Sequence, residues 1–274
     1  MKRDVLDRFF QDTKGITGWF SLHDAAVFEL LLSLQFEKNI HGDLLEIGVF
    51  EGKSAILIGR HKESDEEFHV CDIFDNLTDL KNMEENLSSY PNLSRGKFEA
   101  NFRTLLGVLP DIHQCPSSEL RTLLGDRKFR FIHVDGSHLY EHVKGDLELA
   151  LQIINEDQGI IAVDDFRSQH TIGVTVALWQ IILAGQLVPI VMTPAKMYLT
   201  KTGANVDLNR VIEELESAGI QCVTEEILGM EVVRTVGLAD KDLYVGRRGI
   251  SAFIPPVLTD LIRNSYLWKK LRSR

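Results

Sequence analysis

The sequence predicts an α/β protein with a doubly wound, mostly parallel sheet. Two observations favour this fold class: five short apolar strands alternate with helices between residues 43 and 164, and two of these strands end in carboxylates. The two strands lie in the runs 131–138 and 159–165. Because open α/β sheets carry their ligands at the carboxyl ends of strands, we expect a functional site where these runs end.

A leader helix precedes the first predicted strand. Ser21 and Asp24 are spaced as a capping box, and a helical apolar face follows them. A buried strand over 43–49 then passes through a glycine turn into a helix over 53–59, and the next strand covers 67–74. These elements predict the first half of the sheet.

The second half continues the same alternation. Phe98 and Phe102 share the apolar face of a helix. The elements predicted after this helix are, in order, a strand near 112–115, a strand over 129–135, a helix over 139–155 and a strand over 159–164.

The pattern changes beyond residue 180. Apolar runs over 187–192 and 196–201 flank Thr193-Pro194-Ala195 and predict a hairpin that finishes the sheet with an antiparallel edge. An amphipathic helix is predicted over 207–218. A terminal helix opens at Pro255-Pro256, and its apolar side suits packing on the body or on a partner subunit, so a homo-oligomer stays open. The alternative, a membrane-surface anchor, needs more charge and length.

Bulk properties exclude several classes of function. The 274 residues carry 40 acids against 30 Lys and Arg, a formal net charge of −10, which argues against nucleic acid as a partner. The three cysteines are far apart and form no CxxC pair, so neither a disulfide framework nor a thiolate zinc site is expected. Neither a signal peptide nor a membrane span is predicted. We expect a soluble, cytoplasmic protein whose partner is a small molecule.

The glycine turn after the first strand does not match a phosphate-binding motif. Gly48 and Gly52 enclose three residues where a P-loop needs four, and Phe50 occupies the middle glycine position of the dinucleotide pattern. Glu46 in the first strand suits the ammonium group of an amino acid, and Asp72, about 20 to 25 residues after the turn, suits ribose hydroxyls. A ligand with a ribose, a cationic end and no phosphate is S-adenosylmethionine. The alternative is a strand, turn and helix without a ligand.

Three acids follow the two carboxylate-ending strands. If these strands are neighbours, about 4.8 Å apart, then Asp135 lies beside Asp164 and Asp165. A set of carboxylates without thiolate favours a hard ion such as Mg²⁺ or Mn²⁺. The alternative is structural, because Asp135-Gly136 is a good turn and one of the paired acids could cap the next helix.

His138 follows Asp135 by three residues and is the candidate general base. A nearby dication disfavours the protonated form of an imidazole, so the side chain stays neutral before the reaction. A neutral imidazole can then accept the proton of a hydroxyl that the metal coordinates. The run from His138 to His142 also spells HxxEH, the inverted zinc-protease motif, but a protease would need a further ligand on another helix.

The motif Glu-Ile-Gly-Val-x-x-Gly-Lys-Ser over 46–54 resembles the class I S-adenosylmethionine-dependent methyltransferases, and the resemblance covers about 17–200. It implies a Rossmann-like sheet of seven strands, with a helical leader or lid over 1–40, a cofactor-binding core over 41–205 and a helical and strand extension over 206–274. It also implies a set of cofactor-binding residues from the turn, the second strand, the loop near the adenine and the fourth strand, which are Glu46, Gly48, Gly52, Ser54, Asp72, Ser117 and Asp135.

The acid cluster is similar to that of the macrocin and mycinamicin sugar O-methyltransferases. That branch has a metal aspartate, a histidine three residues later and an acid pair after the next strand, often Glu-Asp. Asp135, His138, Asp164 and Asp165 match these places. Catechol-type enzymes carry lysine in place of the histidine, so the resemblance implies an acceptor hydroxyl on a sugar or glycoside.

Other readings stay open. The acceptor could instead be a catechol or phenol, the chain could resemble a hydroxylase-annotated branch with a similar metal site, or it could bind S-adenosylmethionine without catalysis. Trp19-Phe20 before the leader helix, and Arg167 and His170 after the acid pair, are positioned either to close over an acceptor or to serve ordinary packing.

Overall fold

The computed structural model describes residues 3–75 and 93–236. The helices of this part are α1 (Arg3–Asp12), α2 (Leu22–Glu37), α3 (Lys53–Arg60), α4 (Arg95–Leu106), α5 (Leu120–Leu124), α6 (Tyr140–Ile153), α7 (Ile172–Leu183) and α8 (Leu208–Ser217). The strands are β1 (Asp43–Ile47), β2 (Phe68–Cys71), β3 (Asp111–His113), β4 (Phe129–Val134), β5 (Ile160–Val163), β6 (Leu187–Met192), β7 (Met197–Lys201), β8 (Gln221–Ile227) and β9 (Met230–Val236).

All the described strands form one sheet in the order β3-β2-β1-β4-β5-β7-β6-β9-β8. Strands β1 to β5 pair in parallel, and β7 lies antiparallel between β5 and β6. This confirms the predicted α/β fold with a mostly parallel sheet. The sheet has nine strands, two more than the seven expected, because the β8–β9 hairpin adds to it beyond β6.

Alternating side chains of the central strands enter two separate cores. Leu44 and Phe131 pack into the core under α2, α3 and α4, whereas Leu45 and Ile132 pack into the core under α6 and α7. Strands buried on both faces read as continuous apolar runs, which is why β1, β4 and β5 are evident from sequence. Because helices cover both faces of these strands, a ligand site is expected at the strand ends.

The strand order reverses between β1 and β4, which are hydrogen-bonded neighbours although β2 and β3 follow β1 in the chain. Their register pairs Ile47 with Val134, so Gly48 and Asp135 leave the sheet side by side. Such a reversal opens a crevice at the carboxyl ends of the strands, where α/β proteins bind ligands.

The leader helix α2 begins as the sequence predicts. The Ser21 hydroxyl accepts a hydrogen bond from the Asp24 amide at 3.1 Å. The helix is apolar on almost all sides, and twelve of its sixteen residues are buried. An all-round apolar helix is a buried one, so α2 belongs to the core of the domain.

Some elements differ from the predictions. The strand expected over 67–74 ends at Cys71, and helix α7 was not expected. Helix α1 lies within the expected helical leader, and β8 and β9 lie within the expected helical and strand extension, although neither was given bounds. Helix α7 is rich in β-branched residues, which favour strands, and it becomes helical because one face packs against α6 and β6. The predicted helix from Pro255 lies outside the described residues.

No helix in the described ranges is both long and apolar enough to cross a membrane.

Candidate active site

A cleft of about 1230 Å³ opens at the carboxyl ends of β1, β2, β4 and β5. Eight of the predicted site residues line it, namely Gly48, Ser54, Asp72, Ser117, Asp135, His138, Asp164 and Asp165. Two do not: Glu46 is buried beneath the cleft, and Gly52 lies behind the turn. The structure therefore brings the glycine turn and the acid cluster to one cavity.

The two glycines of the turn are required by the packing of the chain itself. Gly48 has a φ of +83°, and a Cβ on it would lie 2.1 Å from the carbonyl oxygen of Asp135. Gly52 has a φ of +91°, and its Cβ would lie 2.9 Å from the Phe98 ring. Any side chain at either position would be strained and would collide with a neighbour. The first glycine thus lets the ends of β1 and β4 approach each other.

Asp72 holds the glycine turn in place. One of its oxygens accepts hydrogen bonds from the amides of Val49 at 2.9 Å and Phe50 at 3.1 Å, and the other accepts from the amide of Phe74 at 2.7 Å. Burial raises the pKa of Asp72, and these amides act against that shift. The amide of Ile73 is a fourth backbone donor that favours the ionised form of Asp72.

Glu46 is fully buried and joins β1 to α3 and β4. Its Oε1 accepts a hydrogen bond from the Ser54 hydroxyl at 2.5 Å and lies 2.7 Å from Nδ1 of His133. Its Oε2 has no hydrogen-bond partner among the described residues. Burial raises the pKa of Glu46 to about 8, although the Ser54 bond acts in the opposite direction.

We expect the free energy of unfolding to fall as the pH rises from about 5 to about 8. The decrease should be smaller in Glu46→Gln than in the parent protein. In this window the folded protein holds a proton on Glu46 that the unfolded chain releases, because the pKa rises from 4.5 to about 8 on folding. This contribution is complete below pH 4.5 and is lost as the pH rises through the folded pKa, at about 1.4 kcal/mol per pH unit.

Urea unfolding at about pH 5.5 and about pH 7.5 measures the effect. Glu213→Gln, at an exposed helical position, is the matched control and keeps the slope of the parent protein. An equal slope in Glu46→Gln and the parent would show that Glu46 is ionised when folded.

Lys196 is the main feature of the site that the sequence analysis missed. Its side chain is fully buried, and its Nζ lies 2.5 Å from Oδ2 of Asp164 and 3.3 Å from Oδ2 of Asp135. Burial alone would lower the pKa of Lys196, but Asp135, Asp164 and Asp24 together raise it above its ordinary value. The ammonium is therefore charged and serves several buried carboxylates.

Asp24 of the leader helix is the third of these carboxylates. Its Oδ1 accepts a hydrogen bond from the Thr193 hydroxyl at 2.5 Å and lies 3.3 Å from the Tyr198 hydroxyl, and its Oδ2 accepts from Ser21 at 2.5 Å. Burial raises its pKa, and Lys196 opposes that rise. The first turn of α2 is thus bonded to the β6–β7 hairpin within the acid cluster.

Two of the three predicted metal ligands, Asp135 and Asp164, face Lys196, and the third, Asp165, faces His138. Oδ2 of Asp165 lies 3.0 Å from Nε2 of His138. Asp165 has a φ of +55°, uncommon for a residue other than glycine, and its amide donates to Oδ1 of Asp164 at 2.8 Å. Their ligand atoms are not among the described groups that converge within 4.8 Å.

By chemistry and charge these residues fit a hard divalent ion. Asp135 has its pKa raised well above the ordinary value by burial and then by Asp164, which hydrogen-bonds to it. Three acids, Asp24, Asp135 and Asp164, act on one buried ammonium, and a fourth, Asp165, lies close enough for Lys196 to lower its pKa. A dication with oxygen ligands would relieve this excess of negative charge. Asp164 would then be shared between the ion and Lys196.

His138 and Asp165 form a pair at the mouth of the acid cluster. Burial would raise the pKa of Asp165, but its bond to His138 holds the pKa below the ordinary value. The His138 side chain is 15% exposed and lines the cleft. The His170 ring stands nearly perpendicular to it, with the ring centres 6.4 Å apart. A carboxylate on one ring nitrogen orients an imidazole and stabilises its protonated form.

Of the other predicted positions, some line the cleft and one does not. Trp19 is 60% exposed and stacks on Phe50 at the cleft, with the ring centres 5.8 Å apart. Ser117 donates a hydrogen bond to Asp146 of α6, whose pKa burial raises to about 6. Arg167 does not line the cleft; its guanidinium donates to the carbonyl of Pro194 at 2.9 Å.

The sequence around Lys196 shows a lysine beside a predicted strand, but it does not indicate that this lysine is buried. Lys196 is a cation at the end of a Pro-containing turn, directly before an apolar strand, and such a position reads as exposed. Asp24 was assigned only to helix capping, where its amide donates to the Ser21 hydroxyl and that hydroxyl donates to just one of its carboxylate oxygens. The contact between these two residues depends on the tertiary fold.

Comparisons with known proteins agree with this fold. Residues 45–166 match a family model described as a methyltransferase domain. No curated protein matches the sequence.

Three solved structures share the fold at low identity. The O-methyltransferase NovP is 19% identical, with 65% of this chain and 80% of that chain covered and a TM-score of 0.50. A putative O-methyltransferase from Klebsiella pneumoniae is 18% identical, with 73% and 90% covered and a TM-score of 0.52. The cofactor-bound Rv0187 from MTB is 14% identical, with 73% and 90% covered and a TM-score of 0.51. The match to the methyltransferase domain spans the glycine turn and all three carboxylates at the strand ends. The chain therefore has the Rossmann-like methyltransferase fold.

Proposed function

We propose that the protein is an S-adenosylmethionine-dependent O-methyltransferase that requires a divalent metal, Mg²⁺ or Mn²⁺, and methylates a hydroxyl of a small molecule, a sugar or glycoside. The observation that carries the proposal is the position of the His138–Asp165 pair. This pair faces the same cleft as the glycine turn and lies beside Asp135 and Asp164. One cavity thus holds a cofactor-type turn, a base and carboxylates that suit a metal.

The turn supports a cofactor without phosphate. Phosphate-binding loops use free backbone amides at this position. Here the amides of Val49 and Phe50 both donate to Asp72, so they are occupied by the chain itself. In the proposal, Asp72 accepts the ribose hydroxyls, and Ser117 lies near the adenine. Gly48 lets the methionine part lie against the main chain.

Glu46 has a more indirect role in this proposal. Its Oε2 is buried without a described partner, directly below the turn, and a cationic group bound above it would favour the ionised form of Glu46 over the protonated one. Gly52 and Ser54 act through packing, because one adjoins Phe98 and the other donates to Glu46. We therefore assign the ammonium group to the space above Glu46.

The base follows from the geometry of His138. Since Nε2 faces Asp165 at 3.0 Å, that nitrogen carries the hydrogen, and Nδ1 accepts the proton of the acceptor hydroxyl. The acceptor oxygen then takes the methyl group as the carbon–sulfur bond breaks and the sulfur keeps the electron pair. Asp165 stabilises the imidazolium that forms. A bound metal would lower the pKa of the acceptor hydroxyl and hold it in place.

Methyl transfer to glycosides and catechols, measured with and without EDTA, tests the proposal. We expect turnover with a glycoside to stop in EDTA and to return on addition of excess Mg²⁺, because the acceptor loses the cation that acidifies it. S-adenosylmethionine binding, measured by calorimetry, is expected to persist in EDTA, since the cofactor contacts proposed for the glycine turn, Asp72 and Ser117 need no metal.

The other outcomes separate the parts of the proposal. Full turnover in EDTA would contradict the proposed requirement for a divalent metal. The His138–Asp165 pair would then remove the proton without a metal. A planar diol as the best substrate would replace the sugar acceptor by a phenolic one. Cofactor binding without transfer to any acceptor would contradict catalysis.

A further inference from the structure

Outside the cleft, three side chains with metal-ligand chemistry lie together on β2 and β3. The register pairs His69 with Asp111, and paired residues in neighbouring strands project from the same face of a sheet. His113 is two residues after Asp111, so it shares that face. The parallel pairing thus collects two imidazoles and a carboxylate at the edge of the sheet.

The distances between their ligand atoms match a metal coordination sphere. Nδ1 of His69 lies 3.1 Å from Nε2 of His113 and 3.3 Å from Oδ2 of Asp111, and the third side of this triangle is 3.7 Å. Ligands placed tetrahedrally at 2.0 to 2.1 Å from zinc are about 3.3 Å apart. The three atoms therefore occupy three corners of such a tetrahedron without rearrangement.

The second nitrogen of His69 supports ligation at Nδ1. Nε2 is buried without a hydrogen-bond partner among the described residues, and the nearest acceptors are Oε2 of Glu67 at 3.4 Å and Oδ2 of Asp43 at 3.9 Å. When Nδ1 binds a metal, the hydrogen resides on Nε2 and points to these carboxylates. Metal-bound histidines are commonly oriented in this way by a carboxylate.

A second group of donors, Asp43, Glu67 and His69, is less suited to a metal. Arg127 donates to Asp43 at 3.1 Å and pairs with Glu67 at 2.8 Å, so its guanidinium already balances both carboxylates. These residues then form the support around His69. In the described part of the chain, Asp111 and His113 form no ion pair with a guanidinium.

We propose that His69, Asp111 and His113 bind a transition-metal ion of the Zn²⁺ class, with water as a fourth ligand. The side chain of His69 is 2% exposed, that of His113 is 12% exposed and that of Asp111 is 59% exposed, so the site opens to solvent beside Asp111. Imidazole ligands select zinc over the oxygen-preferring Mg²⁺. The ion fastens the edge strand β3 to β2 and is independent of the proposed methyl transfer.

The full-length protein, stripped of metals and then kept in excess Mg²⁺, provides the test. We expect calorimetry with Zn²⁺ to show one tight equivalent, and Co²⁺ to give the visible absorption of a tetrahedral ion. His113→Ala and Asp111→Asn change partly exposed ligands, and each is expected to weaken Zn²⁺ binding by more than about 100-fold. Glu67→Gln, which alters only the support of His69, is expected to weaken it by about 10- to 100-fold.

Two controls separate this site from others. His41→Ala changes an exposed histidine outside the cluster, and Asp135→Asn changes the cleft; both keep the tight Zn²⁺ equivalent. Zn²⁺ also raises the Tm of the parent protein but not that of His113→Ala. Equal Zn²⁺ affinity in the parent and His113→Ala, or thiolate-to-cobalt absorption from a cysteine ligand, would overturn the proposal.

Discussion

We expect His138→Ala to lower the kcat of methyl transfer by about 10²- to 10⁴-fold, the range that a positioned general base contributes. The affinity for S-adenosylmethionine should stay close to that of the parent, because the glycine turn and Asp72 are on other strands. The loss arises because His138 supplies the imidazole that Asp165 orients, with its Nε2 3.0 Å from Oδ2 of Asp165. Single-turnover kinetics and calorimetry measure the two quantities separately.

Two further variants make this result specific. Asp165→Asn keeps the imidazole but removes the carboxylate, so kcat should fall and its dependence on pH should change. His142→Ala, four residues along the chain in α6, should have a small effect because its Nδ1 lies 3.0 Å from the Ser137 hydroxyl. If His138→Ala turns over like the parent, the assignment of the base is wrong.

The second large effect concerns stability. We expect Lys196→Met to reduce the free energy of unfolding by about 3 to 5 kcal/mol, the cost of removing one partner from a buried ion pair. The variant leaves Asp24, Asp135 and Asp164 close together without the ammonium that balances them. Urea unfolding at neutral pH in EDTA measures the change.

Lys201→Met, at the end of the strand β7 that directly follows Lys196, is the matched control. Its ammonium pairs with Glu156, whose side chain is 66% exposed, and exposed pairs contribute about 0.2 to 1 kcal/mol. Adding Asp164→Asn to Lys196→Met should restore part of the lost stability, since it removes one of the unbalanced charges. Equal losses in the two lysine variants would show that the buried acids are neutral without Lys196.

The central strands could be predicted because their burial is continuous. Strands β1, β4 and β5 are covered on both faces, so each is mostly apolar, and β4 and β5 are followed directly by Asp135 and Asp164. The cap of α2 was also predictable, because a capping interaction depends only on residues close in sequence. The cleft could be placed at the strand ends from topology alone.

The electrostatics of the site could not be predicted in the same way. Glu46 was expected to face a ligand, but its neighbours Ser54 and His133 come from α3 and β4 and enclose it. Lys196 is buried only because acids from α2, β4 and β5 converge on it. The hydrophobic pattern of a single sequence predicts which face of a helix or strand is buried. It does not predict which charged side chains from distant elements come into contact.

The bonds between α2 and the β6–β7 hairpin also determine when the site can form. Asp24 and Thr193 are 169 residues apart, yet their hydrogen bond is part of the acid cluster. During synthesis the leader helix leaves the ribosome long before Lys196 is added, and pairing of such distant segments is slow. Until the hairpin docks, Asp24, Asp135 and Asp164 lack their ammonium. The cleft therefore acquires its final charge only at the end of the assembly of the domain.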